Sequence, residues 1–321
     1  MRVSSQIRRW LTSRESDPSV RARFWVEVEG RSRTDPEVRA AIRSIGREGW
    51  AASLLGHQMP DGHWFTQGST ARELYSPKYL VTNWRAIVLA ELGMTRADPR
   101  IRRTAELILN VWGRQSNELS GRDAEICITG NAVRALIRFG YLKDPVVQQA
   151  IEWIVRTQKA DGGWHCFKSN TGTLDSWEGL AALAEIPESA RSEPIRKSIE
   201  RGAEFFLDRR LMNEGRIQYK PWLRIHYPNH YYYDVLVGLR ILTRLGYGSD
   251  PRMDRAFRWL LRKRSRDGTW ALDAIHPDVT HDPGDTWWTT AIFPMVLEQA
   301  GAPSRWATVE ALSILTKASR S

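Results

Sequence analysis

Three short turns of one design divide this chain: Asp61-Gly62-His63-Trp64, Asp161-Gly162-Gly163-Trp164 and Asp267-Gly268-Thr269-Trp270. A turn that recurs together with its tryptophan constrains a fold more than any single residue does, because every copy must solve the same packing problem. A second mark accompanies it, an acidic residue followed by proline, at Asp17-Pro18, Asp35-Pro36, Asp98-Pro99, Asp144-Pro145, Glu193-Pro194 and Asp250-Pro251. The acidic-Pro mark returns roughly every fifty residues, the interval of stacked helical hairpins, and the turn at about twice that spacing.

Each mark has a physical cause. An Asp at the N-cap accepts a hydrogen bond from an orphan amide of the first turn, and Pro at the first helical position forfeits no bond. After Asp144-Pro145 the apolar residues Val147, Ile151, Ile154 and Val155 recur at helical spacing, and Met253, Phe257, Leu260 and Leu261 do so after Asp250-Pro251. These segments read as amphipathic helices with one dry face. The Asp-Gly pair then stops the helix, since Gly adopts a left-handed backbone without strain, and the Trp folds back over the helix end.

A more apolar set of segments alternates with the first: Val81–Leu92, Thr129–Phe139, Thr173–Ile186, His230–Leu245, Thr286–Ala300 and Arg305–Thr316. Thr173–Ile186, with Leu174, Trp177, Leu180, Ala181, Ala182, Leu183 and Ala184, is too hydrophobic around its circumference for an outer helix. The expectation is an all-α chain of about five to six hairpins, inner apolar helices backed by outer amphipathic ones. Closure into an α/α toroid, favoured over an open solenoid, makes residues 1–321 a single domain with residues 1–30 as an N-terminal helical extension.

The strings His57-Gln58-Met59-Pro60-Asp61-Gly62-His63-Trp64 and Thr157-Gln158-Lys159-Ala160-Asp161-Gly162-Gly163-Trp164 resemble the Gln-Trp repeat of squalene and oxidosqualene cyclases and the related repeats of protein prenyltransferase β subunits. The likeness covers most of the chain, and in layout and length it resembles small bacterial prenyltransferase or squalene-oxidase repeat proteins. It implies the α/α-toroid architecture far more than any chemistry, because that superfamily spans cyclases, transferases and binding proteins.

Composition narrows the partners. With 42% hydrophobic residues and 15 Trp the chain can fill a large core, and no apolar run approaches the ~20 residues that span a bilayer. The start, Met1 to Trp10, lacks the apolar stretch of a secretory signal, which gives a cytoplasmic expectation. The net charge of +10 is dispersed rather than clustered, which argues against a nucleic-acid partner and leaves room for peripheral membrane contact.

The polar residues gather where loops lead into inner helices, positions that the architecture brings to one rim. These are Asp123, Glu125, Cys127 and Asn131; His165, Cys166 and Asp175; His226, His230 and Asp234; and His276, His281, Asp282 and Asp285. The β-subunit resemblance implies a zinc site built from an Asp, a Cys two residues on, and a His before a Tyr-rich stretch. Leu174-Asp175-Ser176-Trp177 resembles the first segment and His230-Tyr231-Tyr232-Tyr233-Asp234 the second, but Trp177 stands where the Cys belongs. A Zn²⁺ site would therefore need Asp175 and His230 with Cys166, or Cys127, swinging in at ~2.0–2.3 Å; the alternative is that both cysteines are small buried hydrophobes. No cofactor is otherwise implied.

The cyclase resemblance implies a carboxylic-acid proton donor, yet neither Asp-x-Asp-Asp nor Asp-Asp-x-x-Asp occurs. Asp282 with Asp285, and Asp123 with Glu125, offer carboxylate pairs in other form. Tyr227, Tyr231, Tyr232, Tyr233, Trp177, Trp287 and Trp288 fall at the expected mouth, where aromatic faces would line an isoprenoid channel or stabilise a carbocation. Asp175, His230, Asp123, Asp282 and Asp285 are thus the candidate catalytic groups. Cys127, Asn131, Trp177, Tyr227, Tyr231, Tyr232, Asp234, Trp287 and Trp288 are the candidate cavity lining. The expected function is a terpenoid-cyclase or prenyltransferase-like protein acting on or binding a hydrophobic isoprenoid, alone or with a second subunit. The alternatives are a non-catalytic α/α scaffold binding a protein or lipid and a zinc-thiolate enzyme resembling the lanthionine cyclases, the latter on Trp164-His165-Cys166.

Overall fold

The computed structural model describes residues 3–64, 73–75, 79–213, 219–275 and 297–319. In chain order its α-helices are α1 (Ser5–Thr12), α2 (Pro18–Arg23), α3 (Pro36–Ser44), α4 (Gly49–Leu55), α5 (Thr82–Glu91), α6 (Pro99–Ile108), α7 (Ile126–Phe139), α8 (Pro145–Thr157), α9 (Glu178–Ala184), α10 (Glu193–Asp208), α11 (Val235–Arg244), α12 (Asp254–Arg262) and α13 (Arg305–Ala318). The chain divides into two compact units, one of Met1–Ser53, Arg210–Asn229 and Asp234–Ser321, the other of Leu54–Arg209 and His230–Tyr233. Among the described residues no helix is long and apolar enough to cross a membrane.

The Asp-Pro mark works as local chemistry requires. Asp17, Asp35, Asp98, Asp144 and Asp250 each accept a backbone N–H two residues on, with Pro at the first position. Glu193-Pro194 differs, since Ser192 takes the cap position and Glu193 is already helical.

The repeated turn has one geometry. Trp64 Nε1 donates to Leu54 O, Trp164 Nε1 to Ile154 O and Trp270 Nε1 to Leu260 O, each at 2.8 Å and each ten residues back. The indole thus satisfies an orphan carbonyl near the end of the preceding helix while its rings are sealed in the core. Gly162, at φ +90°, passes so close to α10 that a Cβ would stand 2.3 Å from Arg201 O. Gln158 ties the turn down by donating to Gly162 O at 2.7 Å and Ser198 O at 2.8 Å.

In the Leu54–Arg209 unit the inner helices are dry all round: every residue of α5 and of α9 is buried. Helix α7 packs between them. Gly130 makes that approach feasible, because a Cβ there would meet the Glu178 backbone at 2.7 Å. The outer helices α6, α8 and α10 bury one face each. In the other unit α13 plays the inner role against α11, α2 and the two-residue strand Trp270–Ala271, which pairs antiparallel with Pro303–Ser304.

Two expected helices start later than their periodicity suggests. Thr173–Ile186 is a tight turn at Leu174–Ser176 followed by α9, and His230–Leu245 becomes helical only at Val235. In the second case Asp234 caps the helix by accepting Val237 N at 2.8 Å, so His230 to Tyr233 run as loop before it. The expected helix Thr286–Ala300 falls largely outside the described residues, and His276, His281, Asp282, Asp285, Trp287 and Trp288 lie wholly outside them.

Candidate functional site

The turn at Trp164 leads into a loop closed by Thr173 N donating to Trp164 O at 2.9 Å, with Gly172 N held by the Asp161 carboxylate at 3.0 Å. That closure presents Cys166 to the first turn of α7, where Cys127 lies. Each thiol is free and half-buried, and the two shift each other's acidity. The neighbouring Cys127 lowers the Cys166 pKa, and the Ser176 hydroxyl adds a contact at 4.0 Å. The neighbouring Cys166, then burial, pushes the Cys127 thiol up. Its sulfur also lies 3.6 Å from Glu125 Oε2.

Next to this pair stands a group that sequence reasoning did not single out. Glu178, the first residue of α9, has 0% exposure and neither carboxyl oxygen makes a hydrogen bond. Burial pushes its pKa well above the ordinary carboxylate value, Cys166 adds to the rise, and Arg134 opposes it. A carboxyl in such a place keeps its proton.

A polar relay fixes the surroundings. Arg134 on α7 pairs with Glu91 on α5 at 3.0 Å, both side chains 3% exposed or less, and donates to Asn131 Oδ1 at 2.9 Å. The Asn131 amide donates in turn to His230 O at 2.6 Å and Cys127 O at 3.0 Å. Trp177 Nε1 donates to Tyr231 O at 3.2 Å, while the Arg134 guanidinium lies 4.7 Å over the Trp177 ring. Loop 230–233 is thereby held by its carbonyls. Its side chains enter an aromatic cluster: the His230 ring is 5.2 Å from both Tyr79 and Trp84, Tyr231 lies 4.4 Å from Tyr232, and the Tyr79 and Tyr231 hydroxyls are 2.9 Å apart.

The structure therefore joins Cys127, Cys166, Asn131, Trp177, His230, Tyr231 and Tyr232 in one unit, with Asp175 half-buried nearby. Among the described residues no three His, Cys, Asp or Glu side chains form a group that could hold a metal ion, Asp175, Cys166 and His230 included. The His230 ring packs against Tyr79 and Trp84, and Cys166 lies beside Ser176. Asp123 is exposed in the turn before α7, outside the cluster.

Tyr227 and Asp234 belong to the other unit. There Asp234 Oδ2 meets His226 Nδ1 at 3.0 Å with both side chains fully buried, and Tyr227 stacks on Trp306 at 4.3 Å. His226, Tyr227 and Trp306, with Asn229, Arg240 and Glu310, border a small cleft. Because Asp234 also caps α11, the pair has a structural duty that accounts for it.

No family model matches the chain, and no curated protein does. Among solved structures it is similar to a glycosyl hydrolase family 88 protein from Bacteroides vulgatus, with 12% identity, 98% of this chain and 97% of that one covered, and a TM-score of 0.53. A type II terpene cyclase, MstE from Scytonema, matches at 16% identity over 95% and 88% of the chains with a TM-score of 0.47. A protein from Actinoplanes matches at 16% identity over 98% of each chain with a TM-score of 0.43. The first likeness shows the fold: this is an α/α-toroid chain. A fold shared at such identity says nothing of chemistry.

Proposed function

We propose that the chain binds a hydrophobic, isoprenoid-type small molecule at the aromatic cluster of the Leu54–Arg209 unit and that Glu178 is its general acid. Glu178 carries the reading. A lone neutral carboxyl costs stability wherever it is buried, and burial without a single hydrogen bond is a cost that function explains. The nearby rings of Trp84, Trp177, Tyr79 and Tyr231 supply π faces that favour developing positive charge.

The direction of the Glu178 shift also selects the substrate's reacting atom. Burial keeps the proton available at neutral pH, but it makes the acid weaker rather than stronger. Such a group suits protonation of an oxygen, an epoxide or carbonyl on the isoprenoid, better than protonation of an unactivated alkene carbon. After transfer the carboxylate is left facing Arg134, which lowers the cost of its charge. A binding protein without turnover is the second reading, favoured by the complete burial of Glu178.

The test is incubation of the purified protein with an acyclic polyprene and with its terminal epoxide, following products by gas chromatography and mass spectrometry and binding by fluorescence quenching of the tryptophans. The expected result is conversion of the epoxide by the native chain and binding without conversion by Glu178→Gln. Binding without conversion by both proteins supports the carrier. Undiminished conversion by Glu178→Gln, or no binding of either compound, overturns the proposal.

A further inference from the structure

Arg85 is a buried charge for which the described residues supply no counter-ion. It sits on α5, the helix whose every residue is buried, and is itself 7% exposed. Among the described residues its guanidinium makes one hydrogen bond, Nε to Leu80 O at 3.1 Å, and it has no carboxylate partner and no aromatic ring beneath it. Burial alone acts on it, drawing its pKa down to about 10. The neighbouring buried arginine of the same layer, Arg134, is by contrast paired with Glu91.

The single bond it makes says where it points. Leu80 precedes the helix, so the Arg85 side chain runs back toward the N-terminus of α5, as long helical side chains do. That terminus opens at Val81 with no side-chain cap. Thr82, three residues before Arg85 and on the same face, accepts Trp64 N at 3.3 Å, which leaves its hydroxyl proton free to donate. A positive helix end, a guanidinium fork and a hydroxyl lie along this turn with no carboxylate among the described residues bonded to them, although Asn83 N already donates to Leu74 O at 3.0 Å.

We propose that Arg85 and the first turn of α5 form a binding site for an oxyanion of the phosphate class. The ligand is either a free phosphate or pyrophosphate or the headgroup of an organic molecule. A planar guanidinium recognises two oxygens of such a group at once, and the helix terminus adds its partial positive charge. The site stands independently of the Glu178 reading, since it invokes neither that residue nor an isoprenoid chain.

The experiment is isothermal titration of the full chain with inorganic pyrophosphate, inorganic phosphate and geranyl diphosphate, for the native protein, Arg85→Met and Arg85→Lys, with melting temperatures of each in anion-free buffer. The native chain is expected to bind at least one of the three saturably. Arg85→Met should lose roughly ten- to hundredfold in affinity, the size of a lost charge-assisted contact, and Arg85→Lys should lose less. In anion-free buffer Arg85→Met should melt higher than the native chain, because it removes an uncompensated buried charge; a purely structural arginine would give the opposite. Equal affinity for pyrophosphate and the geranyl ester marks a free anion, and tighter binding of the ester marks a headgroup. No saturable binding by the native chain, or equal binding by Arg85→Met, overturns the inference.

Discussion

The protonation of Glu178 is measurable without knowing any substrate, through the pH dependence of stability. In the unfolded chain its carboxyl titrates near the ordinary value of about 4.3. In the folded chain burial, then Cys166, moves it well above that. Between the two values the folded state holds one proton more than the unfolded state, so stability falls as pH rises, by about 1.4 kcal/mol per pH unit. The loss begins at the unfolded value and stops at the folded one. Below the window the carboxyl is neutral in both states and contributes no pH dependence.

Glu178→Gln keeps the shape and removes the titration. The perturbation is best read as a difference between variant and native chain, because every other titrating group cancels. Urea unfolding at a series of pH values should give nearly equal stability at the acid end, within the ~1 kcal/mol that one altered polar contact is worth. The glutamine chain should then gain on the native one at about 1.4 kcal/mol per unit, or ~2.7 kcal/mol over any two units in which the folded carboxyl keeps its proton. The pH at which the difference levels off is the folded pKa. A difference that stays flat with pH would mean an ordinary ionised Glu178, and the general-acid proposal would fall with it.

Two further outcomes follow from the geometry. Gly162→Ala should lower stability well beyond the ~1–2 kcal/mol of a left-handed alanine, since its Cβ would meet Arg201 O at 2.3 Å, whereas Gly246→Ala, at φ +94° with nothing within 4 Å, should pay the conformational cost alone; thermal denaturation of the pair checks this. Iodoacetamide should label Cys166 before Cys127, and Cys127→Ala should slow the labelling of Cys166 by removing the neighbour that lowers its pKa, as peptide mass spectrometry over time would record.

What was legible in the sequence was what local chemistry fixes. Asp-Pro capping and the Gly-x-Trp turn each depend on residues close along the chain, and the structure reproduces both with one geometry apiece. Apolar periodicity continues through the tyrosines and so predicts a helix from His230, while the start is set by a single hydrogen bond from Val237 N to Asp234. The thiol pair joins positions on different elements, and nothing in spacing announces such a meeting. Glu178 does have a sequence signal: a helix too apolar for an outer position buries whatever carboxylates it contains, and the same holds for Arg85 within Val81–Leu92.

The inner layer of the Leu54–Arg209 unit contains its own control for these two residues. On α5 and α7 the charges of Glu91 and Arg134 are buried together, 3.0 Å apart, with Asn131 taking up a further donor. That is how a fold accommodates buried charge when the only demand is stability, since the pair's mutual attraction offsets the desolvation of both. Among the described residues, Arg85 on the same α5 is buried without a carboxylate partner, and Glu178 on α9, packed against the same α7, is buried without a donor. Local violations of this kind are tolerated where another molecule completes them. On the two proposals made above, an anion would complete the charge at the first and a proton acceptor the hydrogen bond at the second.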